Sequence, residues 1–235
     1  MNDGLRTTLS EHIKSGWQSN PALRTLIHDY TKYHIVLVIA GGFLILVLLL
    51  FSIFCWIRFK KVAVASKFIW PFEKKVYFSF GSLSIIVALF FGLFVVANAS
   101  TVLNPLPGFT SLADTTTMPT DSVVGQALNQ WVQSGNNNFP PILKQKVKDR
   151  ILWQRPKAII CGVFLILLVL LSVRFWDALI KKTRRSRSIW GLREKTLFVA
   201  GIIAVVLSLI MMLMVVENLQ GAIGPITITL LGIGG

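Results

Sequence analysis

The chain has three histidines, His12, His28 and His34, all in its N-terminal stretch. Imidazole is the side chain best suited to accept and return a proton near neutral pH. His28 and His34 have Asp29, Tyr30 and Tyr33 as sequence neighbours, and carboxylates and phenols are the partners used in general acid–base catalysis. This group could transfer protons on a lipid or lipoprotein at a membrane face. Nothing else in the sequence joins it. No Cys–His or carboxylate–His pair has metal-ligand spacing, and no glycine-rich loop follows a strand to cradle a phosphate. No catalytic residue, metal ligand or cofactor is assigned.

The two cysteines, Cys55 and Cys161, fall near opposite ends of apolar runs. A disulfide needs Cα atoms within about 7 Å and a membrane core is about 30 Å thick, so no internal bridge is expected. Arg174 and Asp177 can pair three positions apart on a helix, and Glu217 lies near the end of another apolar run. A proton or ion relay normally needs several such groups at mid-membrane depth, and none lies there.

Apolar residues make up 54% of the 235, against about 45–50% in a soluble domain. They gather in four blocks, and a span needs about 20 residues of this kind. The spans are expected at 34–57, 76–102, 158–180 and 197–219. The net charge of +14 sits mainly in short loops beside these blocks. Positive-inside topology accounts for that pattern, so nucleic acid is not expected as a partner. The first 33 residues are polar and the first apolar run is too long for a signal-peptide core, so no signal peptide is expected.

The chain reads as one hairpin written twice. At an offset of 120 positions, Trp56, Trp70, Gly81, Asn98 and Pro105 recur as Trp176, Trp190, Gly201, Asn218 and Pro225. The basic loop 66–75 returns at 186–195, and Pro21, Leu23 and Asp29 return as Pro141, Leu143 and Asp149. Matches at Trp, Asn, Pro and Gly without a gap do not follow from shared apolar composition. The expected fold is an all-α integral membrane protein. Four transmembrane helices come from tandem duplication of a two-span hairpin, each hairpin preceded by an amphipathic surface helix. The first repeat covers 1–115, with a surface helix at 20–33. The second covers 116–235, with a helical connector at 123–157 and an apolar tail after the last span. Asn20-Pro21 marks a helix start, with Leu23, Ile27 and Tyr30 on one apolar face. That helix is expected at the membrane surface, or else packed into a small external domain. Residues 103–122 read as loop, and Ile226–Leu231 as β-prone. The halves should form a four-helix bundle about a pseudo-two-fold axis along the membrane normal.

Loops 57–75 and 181–195 are short and rich in Lys and Arg. The connector has its own cluster at Lys144, Lys146, Lys148, Arg150, Arg155 and Lys157, but the rule weights short loops, so these two are expected in the cytoplasm, with the N- and C-termini outside. The membrane is expected to be a bacterial plasma membrane. Trp56 and Trp176 fall at the inner ends of spans, and Trp70 and Trp190 fall within the basic loops. These four are candidates for interfacial anchoring over anionic lipid or for docking a partner. Ser84, Ala88 and Gly92, with Ala200, Ala204 and Ser208, recur every four residues. They are candidate helix-packing positions, because small residues let helices approach closely. Asn98 and Asn218 form a polar repeat near the outer ends of their spans. They could bond across helices or line a polar path.

The function expected from these features is that of a non-catalytic, multi-pass accessory, assembly or regulatory subunit of a membrane complex. It would contact another membrane protein, or further copies of itself, and anionic lipid. Two alternatives are a small transporter or channel with its path at the pseudo-axis, and a membrane enzyme using His28 or His34 at the outer face.

Overall fold

The computed structural model describes residues 3–63, 70–115, 122–185 and 191–231. Among the described residues the regular structure is entirely helical: α1 (Asp3–Gly16), α2 (Pro21–Lys61), α3 (Phe72–Leu103), α4 (Pro105–Asp114), α5 (Val123–Ser134), α6 (Pro141–Arg185), α7 (Leu192–Ile223) and α8 (Pro225–Leu231), with a 3-10 turn at Trp17–Ser19. Helices α2, α3, α6 and α7 are each long and apolar enough to cross a membrane. α3 and α7 are both 32 residues long. The starts of α1 and α5, α2 and α6, α3 and α7, and α4 and α8 all share the 120-position offset.

The described chain divides into two compact units, each drawing on both halves of the sequence. One comprises Met1–Ile39, Val95–Ala158 and Val216–Gly235, and the other Ala40–Phe94 and Ile159–Val215.

The first unit has a core like that of a small soluble domain. Leu5 and Leu9 of α1, Leu23, Leu26 and Ile27 of α2, Phe109 of α4, Leu128 and Val132 of α5, Leu143 of α6, and Leu230 and Leu231 of α8 are all almost fully buried in one cluster. Local signals set the ends of these helices. The Asn20 side chain accepts from the Ala22 and Leu23 N–H groups at 3.0 and 3.2 Å, satisfying donors that have no partner in the first turn of α2. Its amide also donates to the Val132 carbonyl at 2.8 Å, so the cap ties α2 to α5. Ser122 caps α5 by accepting from Gly125 N–H at 2.9 Å.

Three expectations change in this unit. Residues 21–33 are not a separate helix: they are the first turns of α2, which runs unbroken to Lys61. Their apolar face, Leu23, Ile27 and Tyr30, is buried in the core. The stretch read as loop holds α4. Pro105 opens it at a position where a missing N–H costs nothing, and Phe109 and Ala113 fill the core. The β-prone tail is α8, with Thr227, Thr229, Leu230 and Leu231 buried. The connector is α5, a turn at 135–140 and the first turns of α6.

The second unit is built the other way round, with apolar side chains facing outward. Leu50, Leu89, Leu93 and Leu170 are all more than half exposed. In water such a surface would drive association; in hydrocarbon it is the ordinary surface of a span. Most of its buried positions are small, among them Ser52, Cys55, Gly81, Ser84, Ala88, Cys161 and Ala204, with Val76, Phe91, Leu179 and Met212 the larger side chains.

Candidate functional site

The ends of the long helices remote from the basic loops hold a polar group inside the first unit. His34 of α2 and Asn98 of α3 meet with Nδ1 and Oδ1 2.5 Å apart. With the amide oxygen accepting, Nδ1 carries the proton and Nε2 is the basic nitrogen. Nε2 is buried and has no protein hydrogen-bond partner among the described residues. Tyr30 and Tyr33 pack edge-on against the imidazole at 4.5 and 5.5 Å between ring centres. Asn218 is buried nearby in sequence to Gln220, whose amide donates to the Tyr33 carbonyl at 3.2 Å.

The histidines do not assemble into an acid–base pair. Six helical residues separate His28 from His34, which turns them to different faces. His28 is exposed and lines a shallow surface cleft with Pro21, Arg24, Thr25 and Asn137. Asp29 faces neither histidine. Its carboxylate accepts the Thr227 N–H at 2.8 Å and so caps the first turn of α8. Burial pushes the Asp29 carboxyl above the usual carboxylate range, against the opposing pull of the Thr227 and Ile226 N–H groups. The sequence places Asp29 in the candidate acid–base group, and its capping role is not visible there because the donors it caps lie 198 positions away.

In the second unit the tryptophans define a repeated packing contact. A Cβ placed on Gly81 would lie 3.1 Å from Trp56 Nε1, and one on Gly201 would lie 3.1 Å from Trp176 Nε1. Trp56 packs edge-on to Phe78 at 5.7 Å and 79°, and Trp176 packs edge-on to Phe198 at 5.6 Å and 77°. Each indole therefore lies over a glycine of the next span, a close approach that a larger residue would block. Trp56 and Trp176 are half-buried by this contact. Trp70 closes an aromatic cluster, 5.1 Å from Phe59 and 5.4 Å from Phe78, with Lys74 Nζ 4.7 Å from the Phe59 ring centre. Trp70 remains 36% exposed. Trp190 lies outside the described residues, as do Ile69 and Ile189.

The small-residue positions are buried to different degrees. On α3 the buried positions are Val76, Gly81, Ser84, Ala88 and Phe91, while Gly92 is half-buried with open space around it. On α7, Gly201 and Ala204 are buried, and Ala200 and Ser208 are half-buried. Ser208 returns its hydroxyl to the Ala204 carbonyl at 2.7 Å. The glycine at the head of each stripe was visible only as a repeat match, Gly81 with Gly201. The Trp–Gly pairing of one span with the next was the missing signal.

Ion pairs lie at the helix ends beside the basic loops. Arg184 forks onto Glu73, with Nη2–Oε1 at 2.5 Å and Nε–Oε2 at 3.1 Å. Lys182 lies 3.8 Å from Glu194. Asp177 pairs with Lys181 at 2.7 Å, one turn on, instead of with Arg174. Both cysteines are buried thiols, and among the described residues no group of three or more His, Cys, Asp or Glu side chains could hold a metal ion. Compared with protein-family models, curated proteins and solved structures, the chain matches none.

Proposed function

We propose that this chain is a non-catalytic, multi-pass membrane protein that serves as an accessory, assembly or regulatory subunit of a larger membrane complex. The observation that carries this reading is the packed helical head of the first unit. Core residues of this unit lie on α2 and α6, helices whose runs also include span residues. A head of this kind suits presenting a surface to a neighbouring membrane protein. Positive-inside bias supports a cytoplasmic position for loops 57–75 and 181–195 in a bacterial plasma membrane, with anionic lipid beside them and both termini outside.

The chain is also proposed to be a tandem duplication forming a four-helix bundle. Shared helix starts, matched 32-residue α3 and α7, and the twin Trp–Gly contacts support that reading. So do the positive-φ glycines Gly16, the last residue of α1, and Gly135, which follows the last residue of α5.

The test is co-purification of the full chain from membranes in native lipid particles. A stoichiometric partner lost in a Trp70→Ser plus Trp190→Ser variant is expected, and a clean monomer with no partner would overturn the proposal. The transport alternative places Asn98 and Asn218 along a path. The bond from Asn98 to His34 favours a packing role instead, and unchanged liposome flux in Asn98→Leu plus Asn218→Leu would remove the alternative. The enzyme alternative rests on His28 or His34. Lipid turnover unaffected by His28→Ala and His34→Ala would eliminate it.

A further inference from the structure

The second unit carries an open cleft of about 470 Å³ between α2 and α3, lined by Leu49, Ser52, Ile53, Trp56, Ile57, Lys60 and Ile85. Its volume falls within the range of small-ligand sites, about 300–1,000 Å³. The wall is apolar in effect, because the one hydroxyl in it, Ser52 Oγ, is already donated to the Gly81 carbonyl at 2.9 Å. The cation Lys60 stands at one end. Lys60 is exposed and, among the described residues, has no carboxylate within ion-pair distance.

We infer that this cleft binds one anionic glycerophospholipid, with an acyl chain along Leu49, Ile53 and Ile57 and its phosphate at Lys60. Two features select this occupant. From Leu49 to Lys60 the helix rises about 16 Å, close to half of a hydrocarbon core about 30 Å thick. A cleft that runs from headgroup level to the bilayer middle fits a chain from one leaflet, whereas a partner helix would need a groove along the whole span. The second is charge. A lysine at the end of an apolar groove extends its ammonium toward the headgroups and favours a lipid phosphate.

The other half of the chain supplies a control. Positions 120 residues on from Ile57 and Lys60 are Asp177 and Ile180, which put a carboxylate near the rim and remove the cation. One site per chain is therefore expected. This inference rests on the membrane reading above only for which leaflet supplies the lipid. The test is made in mixed micelles, where orientation plays no part.

Full-length chain is titrated with palmitoyl-oleoyl phosphatidylglycerol and, separately, with the phosphatidylcholine of the same chains, and bound lipid is counted by native mass spectrometry. Wild type is expected to retain one phosphatidylglycerol in preference to phosphatidylcholine. Lys60→Ile should cut that preference about five-fold, the equivalent of ~1 kcal/mol for one lysine at an anionic headgroup. Ile53→Trp, which fills the groove, should lower retention of both lipids. Equal retention of the two lipids by wild type, or a preference that survives Lys60→Ile, would overturn the inference. So would a two-copy mass that Ile53→Trp returns to one, because the occupant would then be a second chain. Lys60 is exposed, so its replacement decides the matter even if Ile53→Trp fails to fold.

Discussion

Asp29 and Thr227 are joined by a 2.8 Å bond from the Thr227 N–H to Asp29 Oδ2, while the Thr227 hydroxyl donates to the Leu26 carbonyl at 2.6 Å. Through these two bonds a short helix near the chain's end is capped by a carboxylate from its beginning. A helix this short has little intrinsic stability, so α8 depends on the docking of its buried face and on Asp29.

Asp29→Ala should cost about 1–3 kcal/mol, the range for losing a cap and leaving a buried donor unpaired. Asp29→Asn, which keeps an acceptor, should cost less. Hydrogen exchange at the α8 amides is the measurement: they should lose protection in Asp29→Ala while the α1 amides stay protected.

The same carboxylate should give a pH signature. Burial raises its pKa in the folded chain, so the folded state keeps the proton to a higher pH than the unfolded state. Stability should fall as pH rises from the ordinary carboxylate value through the raised one, and be level above it. Thermal unfolding across that window should show this slope in wild type and lose it in Asp29→Asn.

Gly224 gives a sharper steric test. A Cβ there would lie 2.7 Å from the Tyr33 backbone N and 2.8 Å from its Cα, atoms that cannot swing aside. Gly224→Ala should cost about 3 kcal/mol or more, at the upper end of overpacking effects. Proteolysis should then cut the segment around α8 before any other part of the first unit.

Gly81→Ala and Gly201→Ala should behave as a matched pair. Each new methyl meets an indole at 3.1 Å, and a ring can shift, so each should cost about 1 kcal/mol. Gly42→Ala and Gly162→Ala meet nothing within 4 Å and should be neutral or slightly stabilising through helix propensity. Unfolding in lipid nanodiscs compares the four. Very unequal costs at Gly81 and Gly201 would count against equivalence of the two hairpins.

The Arg184–Glu73 pair is worth less than its geometry suggests. The arginine side chain is 68% exposed, and exposed pairs contribute about 0–1 kcal/mol. Arg184→Lys should lose the two-pronged contact at a cost below about 1 kcal/mol, and raising the salt concentration should shrink the difference.

The four long apolar helices were legible in the sequence because a bilayer imposes a local rule. About 20 consecutive apolar residues are needed, and every backbone group must be bonded within its own helix. The helix start at Asn20-Pro21 was legible for the same local reason, since cap and proline act within one turn. Matches between Trp56 and Trp176 and between Gly81 and Gly201 were visible as spacing, but spacing does not say that one residue of each pair lies over the other. The tertiary structure decided the rest. It turned the β-prone tail into α8, because a carboxylate 198 positions away satisfies the first N–H groups of the helix and a core takes up Leu230 and Leu231. Residues 21–33 became the buried opening of α2, because α1, α4 and α5 supply the apolar surface they cover. On α3 the buried small positions include Gly81 as well as Ser84 and Ala88, because helical periodicity sets the interval between small residues and only the neighbouring Trp56 marks Gly81 as a close contact.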